Sequence, residues 1–89
     1  MIEPSKSGYT IYSKSHCPSC EEAKKLIPDA MVINCDEFLA DDVDLFLDFI
    51  WSRADDTFPK SFPMIFHDGK YLGGLKKLQS TVFTLESEF

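Results

Sequence analysis

The chain has 89 residues, 44% of them hydrophobic and 13% aromatic, with a formal net charge of −6. That length holds one domain, residues 1–89, around one modest core, and the apolar content, eight Phe included, excludes a disordered chain. The negative charge argues against nucleic acid as a partner, because affinity for phosphates comes mainly from a basic surface that displaces counterions.

The first residues, "MIEPSKSG", contain no apolar targeting core, and the longest apolar stretch, "LFLDFIW", is too short and too charged to span a bilayer. A soluble, cytoplasmic protein with no membrane partner is therefore expected. In a reducing compartment three cysteines are not a disulfide framework, so Cys17, Cys20 and Cys35 need another reading.

"GYTIYS", residues 8–13, reads as a first strand in which Thr10 and Tyr12 alternate with Tyr9, Ile11 and Ser13. A helix is predicted from about Pro18, since Pro suits the first helical position and Glu21 and Glu22 complement the dipole of the first turn. Cys20, Ala23, Leu26 and Ile27 share its buried face, and Pro28 stops it. "AMVIN", residues 30–34, is the apolar run of a strand buried on both faces, reached by a parallel β-α-β crossover.

A second helix fits about 41–53, with Val43, Phe46, Leu47 and Ile50 as its apolar stripe and Asp41, Asp44 and Asp48 opposite. The acidic block running from Asp36 and Glu37 to Asp55 and Asp56 then reads as a solvated face, while Lys14, Lys60, Lys76 and Lys77 lie outside it. "PMIFH" and "KYLGG" flank an Asp-Gly, the signal of a hairpin. Leu75, Leu78, Val82 and Leu85 predict a last helix, so the order is β-α-β-α-β-β-α.

The chemistry is concentrated in "YTIYSKSHCPSC". Thiolate is the nucleophile, and a free cysteine, with a pKa of about 8.5, is only a few per cent ionised near neutrality. Lowering a thiol to about 5 takes close to 5 kcal/mol, of which a helix terminus supplies at most about 2. Cys17 precedes Pro18 and so falls at the N-cap, among unpaired backbone N–H groups. Lys14 and His16 add positive charge from upstream, and Cys20, one turn inward, can donate its S–H. The pair also provides turnover: Cys17 attacks a disulfide, and the more buried Cys20 resolves the mixed disulfide. A zinc site would need a second pair at ligand spacing, but Cys35, His16 and His67 are scattered, so no metal is expected.

On these residues the chain resembles the glutaredoxins over nearly its whole length. "YTIYSKSHCPSC" is similar to that family's first strand and active-site loop, and "SFPMIFHDGKYLGG" to its Thr-Val-Pro segment, hairpin and Gly-Gly turn. The resemblance implies an α/β protein with the minimal thioredoxin fold, a four-stranded mixed sheet of order 2-1-3-4 flanked by three helices. It also implies a monomeric, glutathione-dependent thiol-disulfide oxidoreductase with no tightly bound cofactor, acting on disulfide-containing or glutathionylated proteins. Cys17 would be the nucleophile, Cys20 the resolving thiol and Lys14 a partner for a glutathione carboxylate and the thiolate. Pro63 aligns with the family's cis-Pro, which would leave the backbone of Phe62 free to pair with glutathione or a substrate strand; Pro59 is the competing choice. Gly73 and Gly74 would allow close approach, and the N–H groups of Leu75 and Lys76 would hold the γ-glutamyl carboxylate.

The sequence departs from the family's pattern twice. "GGLKKL" has Lys where many glutaredoxins carry an Asp for the γ-glutamyl ammonium, and a Lys cannot accept that ammonium. That mildly favours an alternative, a protein-disulfide reductase fed by a flavoprotein reductase. Ser19 stands where an aromatic is common, which favours a second alternative, a carrier of a [2Fe-2S] cluster. Cys35 is expected to be a buried, inert thiol, Trp51 and the Phe residues to be core, and His67 to be exposed.

Overall fold

The structure, a computed structural model, describes residues 2–54 and 58–87, with side chains described as far as residue 82. Asp55, Asp56 and the side chains of Phe83, Leu85 and Phe89 lie outside the described residues.

The elements run β1 (Tyr9–Ser13), α1 (Pro18–Leu26), β2 (Met31–Asn34), α2 (Asp36–Asp41), α3 (Val43–Trp51), β3 (Met64–His67), β4 (Lys70–Gly73) and α4 (Leu75–Ser87). The sheet has the order β2-β1-β3-β4. β1 pairs in parallel with β2, with Thr10 opposite Met31, and antiparallel with β3, with Ile11 opposite Ile65. This is the expected mixed sheet, and the β3–β4 hairpin turns at Asp68 and Gly69, both at positive φ as the Asp-Gly signal requires.

Because β1 is central, its alternation divides side chains between two cores rather than between core and solvent. Ile11 packs with Ala23, Ile65 and Leu78 beneath α1 and α4. Tyr12 packs with Ile33, Phe46, Ile50, Met64 and Phe66 beneath the helices on the other face. The result is three layers, α/β/α. The polar atoms of β1 are satisfied by the N-terminal segment: Thr10 Oγ1 accepts the N–H of Ser5 at 2.9 Å, and Tyr12 O–H donates to the carbonyl of Ile2 at 2.6 Å.

Several expectations need correction. β2 is the edge strand that the order 2-1-3-4 implies, and it is not buried on both faces as its apolar run suggests: Ile33 is buried, but Met31 and Val32 are 38% and 44% exposed. The helix expected at 41–53 is present as α3, and a short helix that was not expected, α2, precedes it, so the described residues hold four helices instead of three. The break falls at Asp42, extended at φ −160°, whose carboxylate accepts the N–H of Leu45 at 3.1 Å and caps α3. Val43, at the start of α3, is 46% exposed and lies off the stripe formed by Phe46, Leu47 and Ile50. Asp41, Asp44 and Asp48 are exposed, as expected.

Phe46 and Phe66 are buried, whereas Phe38, Phe49 and Phe62 are half-buried and Phe58 is exposed. Trp51 is likewise only half-buried, its ring N–H donating to the carbonyl of Pro59 at 2.8 Å. Phe46 is stacked between Phe38 and Phe62, with centroids 6.3 and 5.8 Å away. Replacing Phe46 with Ala should destabilise the protein by about 3–5 kcal/mol, the usual cost of deleting a buried aromatic ring, read as a lower midpoint in urea unfolding.

Candidate active site

β1 ends at Ser13 and α1 begins at Pro18, so the four residues 14–17 turn the chain at the C-terminal edge of the central strand. His16 takes φ +57°, a left-handed conformation uncommon outside glycine. Cys17 comes next, in extended geometry, as the N-cap: its Sγ accepts the N–H of Cys20 at 3.3 Å and its carbonyl accepts the N–H of Glu21 at 3.2 Å. Pro18 at the next position has no N–H to leave unpaired. Cys17 is half-buried, opening onto a groove of about 630 Å³ whose lining includes Lys14, Ser15, His16, Pro18 and Asn34.

Cys20 lies one turn inward and is fully buried. Burial pushes its thiol up, and the hydrogen bond it shares with Cys17 adds to that; the backbone of Lys14 and the Ser13 hydroxyl pull the other way. Cys20 is therefore held as S–H.

The Phe62–Pro63 peptide is cis, and the Phe58–Pro59 peptide is not. Phe62 lies outside the strands, and among the described residues its backbone N–H and C=O carry no hydrogen bond. The ammonium of Lys14 sits 5.6 Å above the centre of the Phe62 ring. Gly74 lies against Pro63: a Cβ there would be 3.6 Å from the Pro63 carbonyl oxygen. Gly74 also caps α4, its carbonyl accepting the N–H of Leu78 at 3.1 Å, so Leu75 and Lys76 open that helix. Gly73 has φ +144°, and a Cβ there would fall 2.7 Å from Cβ of Lys77. Cys17 and Cys20 are thus together at the head of α1, and Lys14, Phe62, Pro63, Gly73, Gly74, Leu75 and Lys76 form one continuous string of neighbours beside them.

The remaining candidates separate. Cys35 is buried away from solvent; burial raises its thiol to about 12, and its Sγ lies 3.6 Å from the carbonyl of Ile33. His67 is exposed beside the hairpin turn and stacks on Tyr9 at 4.3 Å. One residue was missed. Asp36, counted in the acidic block as part of a solvated face, accepts the backbone N–H of Ser15 at 2.9 Å and also binds its hydroxyl. Ser15 hydroxyl first, then its N–H, hold the Asp36 carboxyl below its ordinary value. The available signal was an Asp directly after the parallel strand that borders the thiol loop, hidden by the run of acidic residues behind it.

No family model and no curated protein matches the chain. Solved structures do. A buckwheat glutaredoxin in complex with glutathione superposes with a TM-score of 0.71 at 22% identity, over 88% of this chain and 70% of that one. Oxidised glutaredoxin 2 from Chlamydomonas reinhardtii gives 0.70 at 25% identity, over 94% and 78%. Glutaredoxin 1 from Francisella tularensis, complexed with cacodylate, gives 0.67 at 22% identity, over 90% and 96%. The chain has the glutaredoxin fold. Within that fold the Cys-x-x-Cys pair occupies the strand-to-helix junction at the end of the central strand.

The third thiol of this glutaredoxin-like chain makes a pH prediction. The pKa of Cys35 rises from 9.0 in the unfolded chain to about 12 in the native one, so its contribution to stability is whole below pH 9 and disappears as pH climbs through about 12. Urea unfolding of the wild type should show the midpoint falling across that window. In the Cys35→Ala variant the fall should be shallower, the remainder coming from Cys20, Tyr12 and Tyr71, which burial also raises.

Proposed function

We propose that the chain is a glutaredoxin-type thiol-disulfide oxidoreductase that reduces glutathionylated and disulfide-containing proteins with electrons from glutathione. The observation that carries this reading is the division of labour between the two thiols. Cys17 is the half-buried N-cap that accepts the N–H of Cys20, and Cys20, buried one turn inward, keeps its proton.

The chemistry then balances without a further cofactor. Cys17 Sγ attacks the glutathionyl sulfur of a mixed disulfide; a Cys17–glutathione disulfide forms, the bond to the substrate sulfur breaks, and the substrate leaves as a thiolate that takes a proton from solvent. A second glutathione, as thiolate, attacks the glutathionyl sulfur on Cys17 and leaves as glutathione disulfide, restoring Cys17. The substrate gains two electrons, and two glutathione moieties lose them. For a protein disulfide, Cys17 first forms a bond with one substrate sulfur. Cys20 then gives up its proton, attacks Cys17 Sγ and releases the dithiol, leaving a Cys17–Cys20 disulfide for two glutathione molecules to reduce.

Binding of glutathione is supported by the free backbone of Phe62 beside the cis peptide, by the Lys14 ammonium next to it, and by the adjoining first turn of α4 at Leu75 and Lys76. That a fold neighbour is a complex with glutathione supports glutathione as the ligand.

A coupled assay with glutathione and glutathione reductase, on a small glutathionylated substrate, tests the reading. The wild type should turn over, Cys17→Ser should lose on the order of 10³-fold or more, and Cys20→Ser should keep deglutathionylation while losing reduction of protein disulfides. Absence of wild-type turnover would refute the proposal.

A further inference from the structure

Ser15 and Asp36 are 21 positions apart, yet the carboxylate takes both hydrogen-bond donors of the serine, the N–H at 2.9 Å through Oδ1 and the O–H through Oδ2. The approach is prepared by the sheet. Ser13 pairs with Asn34 at the end of the β1–β2 ladder, and the ladder is extended by the Cys35 N–H donating to the Ser13 carbonyl at 2.8 Å. Asp36 is itself fixed, its N–H donating to the side-chain oxygen of Asn34 at 2.9 Å. The loop that ends in Cys17 is therefore tied to the end of β2 at its midpoint.

The backbone at His16 explains why a tie is needed. That residue is in the left-handed region, which costs a non-glycine residue energy unless its neighbours fix the backbone on both sides. On the C-terminal side the fixing is done by the Cys17 N-cap; on the N-terminal side Asp36 holds Ser15 at two points, and the Ser13 hydroxyl donates to the Lys14 carbonyl at the outer distance of 3.5 Å. Ser15 also lies between Lys14, whose ammonium sits over Phe62, and Cys17, so the same clamp sets both groups that meet the substrate. The two sides of the groove beside Cys17, Asn34 from β2 and Ser15–His16 from the loop, are joined through it.

We propose that Asp36 is a positioning residue: its two-point capture of Ser15 holds the 14–17 loop so that Cys17 keeps its capping geometry and its opening to the groove. The proposal rests on the nucleophilic role assigned to Cys17 above. It makes a prediction opposite in sign to a simple charge effect. The titratable groups that line the groove with Cys17 are Lys14, His16, Glu21 and Lys24, and Asp36 reaches it through Ser15. A carboxylate that acted only by its charge would disfavour an anionic sulfur, and removing it would speed the thiol's reactions. A carboxylate that acts by geometry does the reverse.

The test is the rate at which iodoacetamide alkylates Cys17 at pH 7 in the full chain carrying Cys20→Ser, so that Cys17 is the accessible thiol. This readout does not depend on turnover, so its failure and failure of the oxidoreductase reading are separable. Asp36→Ala should slow alkylation about tenfold, a part of the hundredfold that a displacement of about 1 Å can cost. Ser15→Ala, which keeps the backbone N–H bond, should slow it less. The double variant should be no slower than Asp36→Ala alone, because both remove one interaction. Asp36→Asn, which retains an oxygen for the Ser15 N–H, should recover at least half of the loss on a logarithmic scale. Unfolding midpoints measured alongside separate this from a merely structural role, which would lower stability and leave the alkylation rate unchanged. An Asp36→Ala rate equal to or above the parent's would overturn the proposal, as would two single effects that multiply. Should Asp36→Ala not fold, Ser15→Ala and Asp36→Asn, both of which keep the N–H bond, carry the same comparison, and parent-like rates in both overturn it.

Discussion

The capping hydrogen bond from the Cys20 N–H to Cys17 Sγ is the interaction on which the site depends. At the start of a helix several N–H groups have no carbonyl to meet, and an oxygen from Ser, Thr, Asp or Asn ordinarily receives one of them. Here a sulfur does so. An N-cap must be extended, so the residue stands proud of the helix, and its acceptor atom must face the N–H groups and the positive end of the dipole, which favours negative charge on that atom. Exposure and anion stabilisation, which together make a sulfur nucleophilic, result from one backbone requirement.

That requirement is met only if the loop leaves the sheet at a fixed place. β1 is buried on both faces between its neighbours, so Ser13 cannot shift without moving two cores. On one face the stacked rings of Phe38, Phe46 and Phe62 run from the interior to the cis peptide, and Lys14 covers the last ring. On the other, Ala23 beneath α1 packs with Leu78 beneath α4, which carries the Gly74 turn to Pro63. The thiol loop, the Phe62–Pro63 segment and the Gly-Gly turn are thus three ends of one packed body.

Much of this was legible in the sequence because it rests on local rules. Pro18 behind Cys17 marked the N-cap, Asp68-Gly69 marked the hairpin, and a single helix between two apolar runs marked the parallel pair. The failures were of two kinds. Position in the sheet is not local: nothing within "AMVIN" says that β3 takes the far side of β1 and leaves β2 at the edge, an order that only the family resemblance supplied, so the run alone was misread as buried on both faces. The acidic run failed for the opposite reason, because averaging its charges concealed two that act individually, Asp42 as a helix cap and Asp36 on Ser15. Periodicity assigned both to a solvated surface, and both are exposed, yet each makes a directed hydrogen bond that fixes a backbone turn.

The three cysteines show how far environment outweighs identity. Cys20 and Cys35 are equally hidden, both have thiols pushed up by burial, and both lie near Ser13. What separates them is the atom each thiol faces. Cys20 lies one turn from the sulfur of Cys17 and, beyond the backbone N–H that each thiol has, gains the Ser13 hydroxyl that eases its ionisation, which suits the resolving role proposed for it. Cys35 faces the carbonyl of Ile33, which rewards keeping the proton, and has Asp36 alongside, which opposes a second negative charge. A thiol so placed contributes volume to the core and no chemistry at neutral pH. The difference between a resolving thiol and an inert one is therefore a matter of a few neighbouring atoms within a single shared depth of burial.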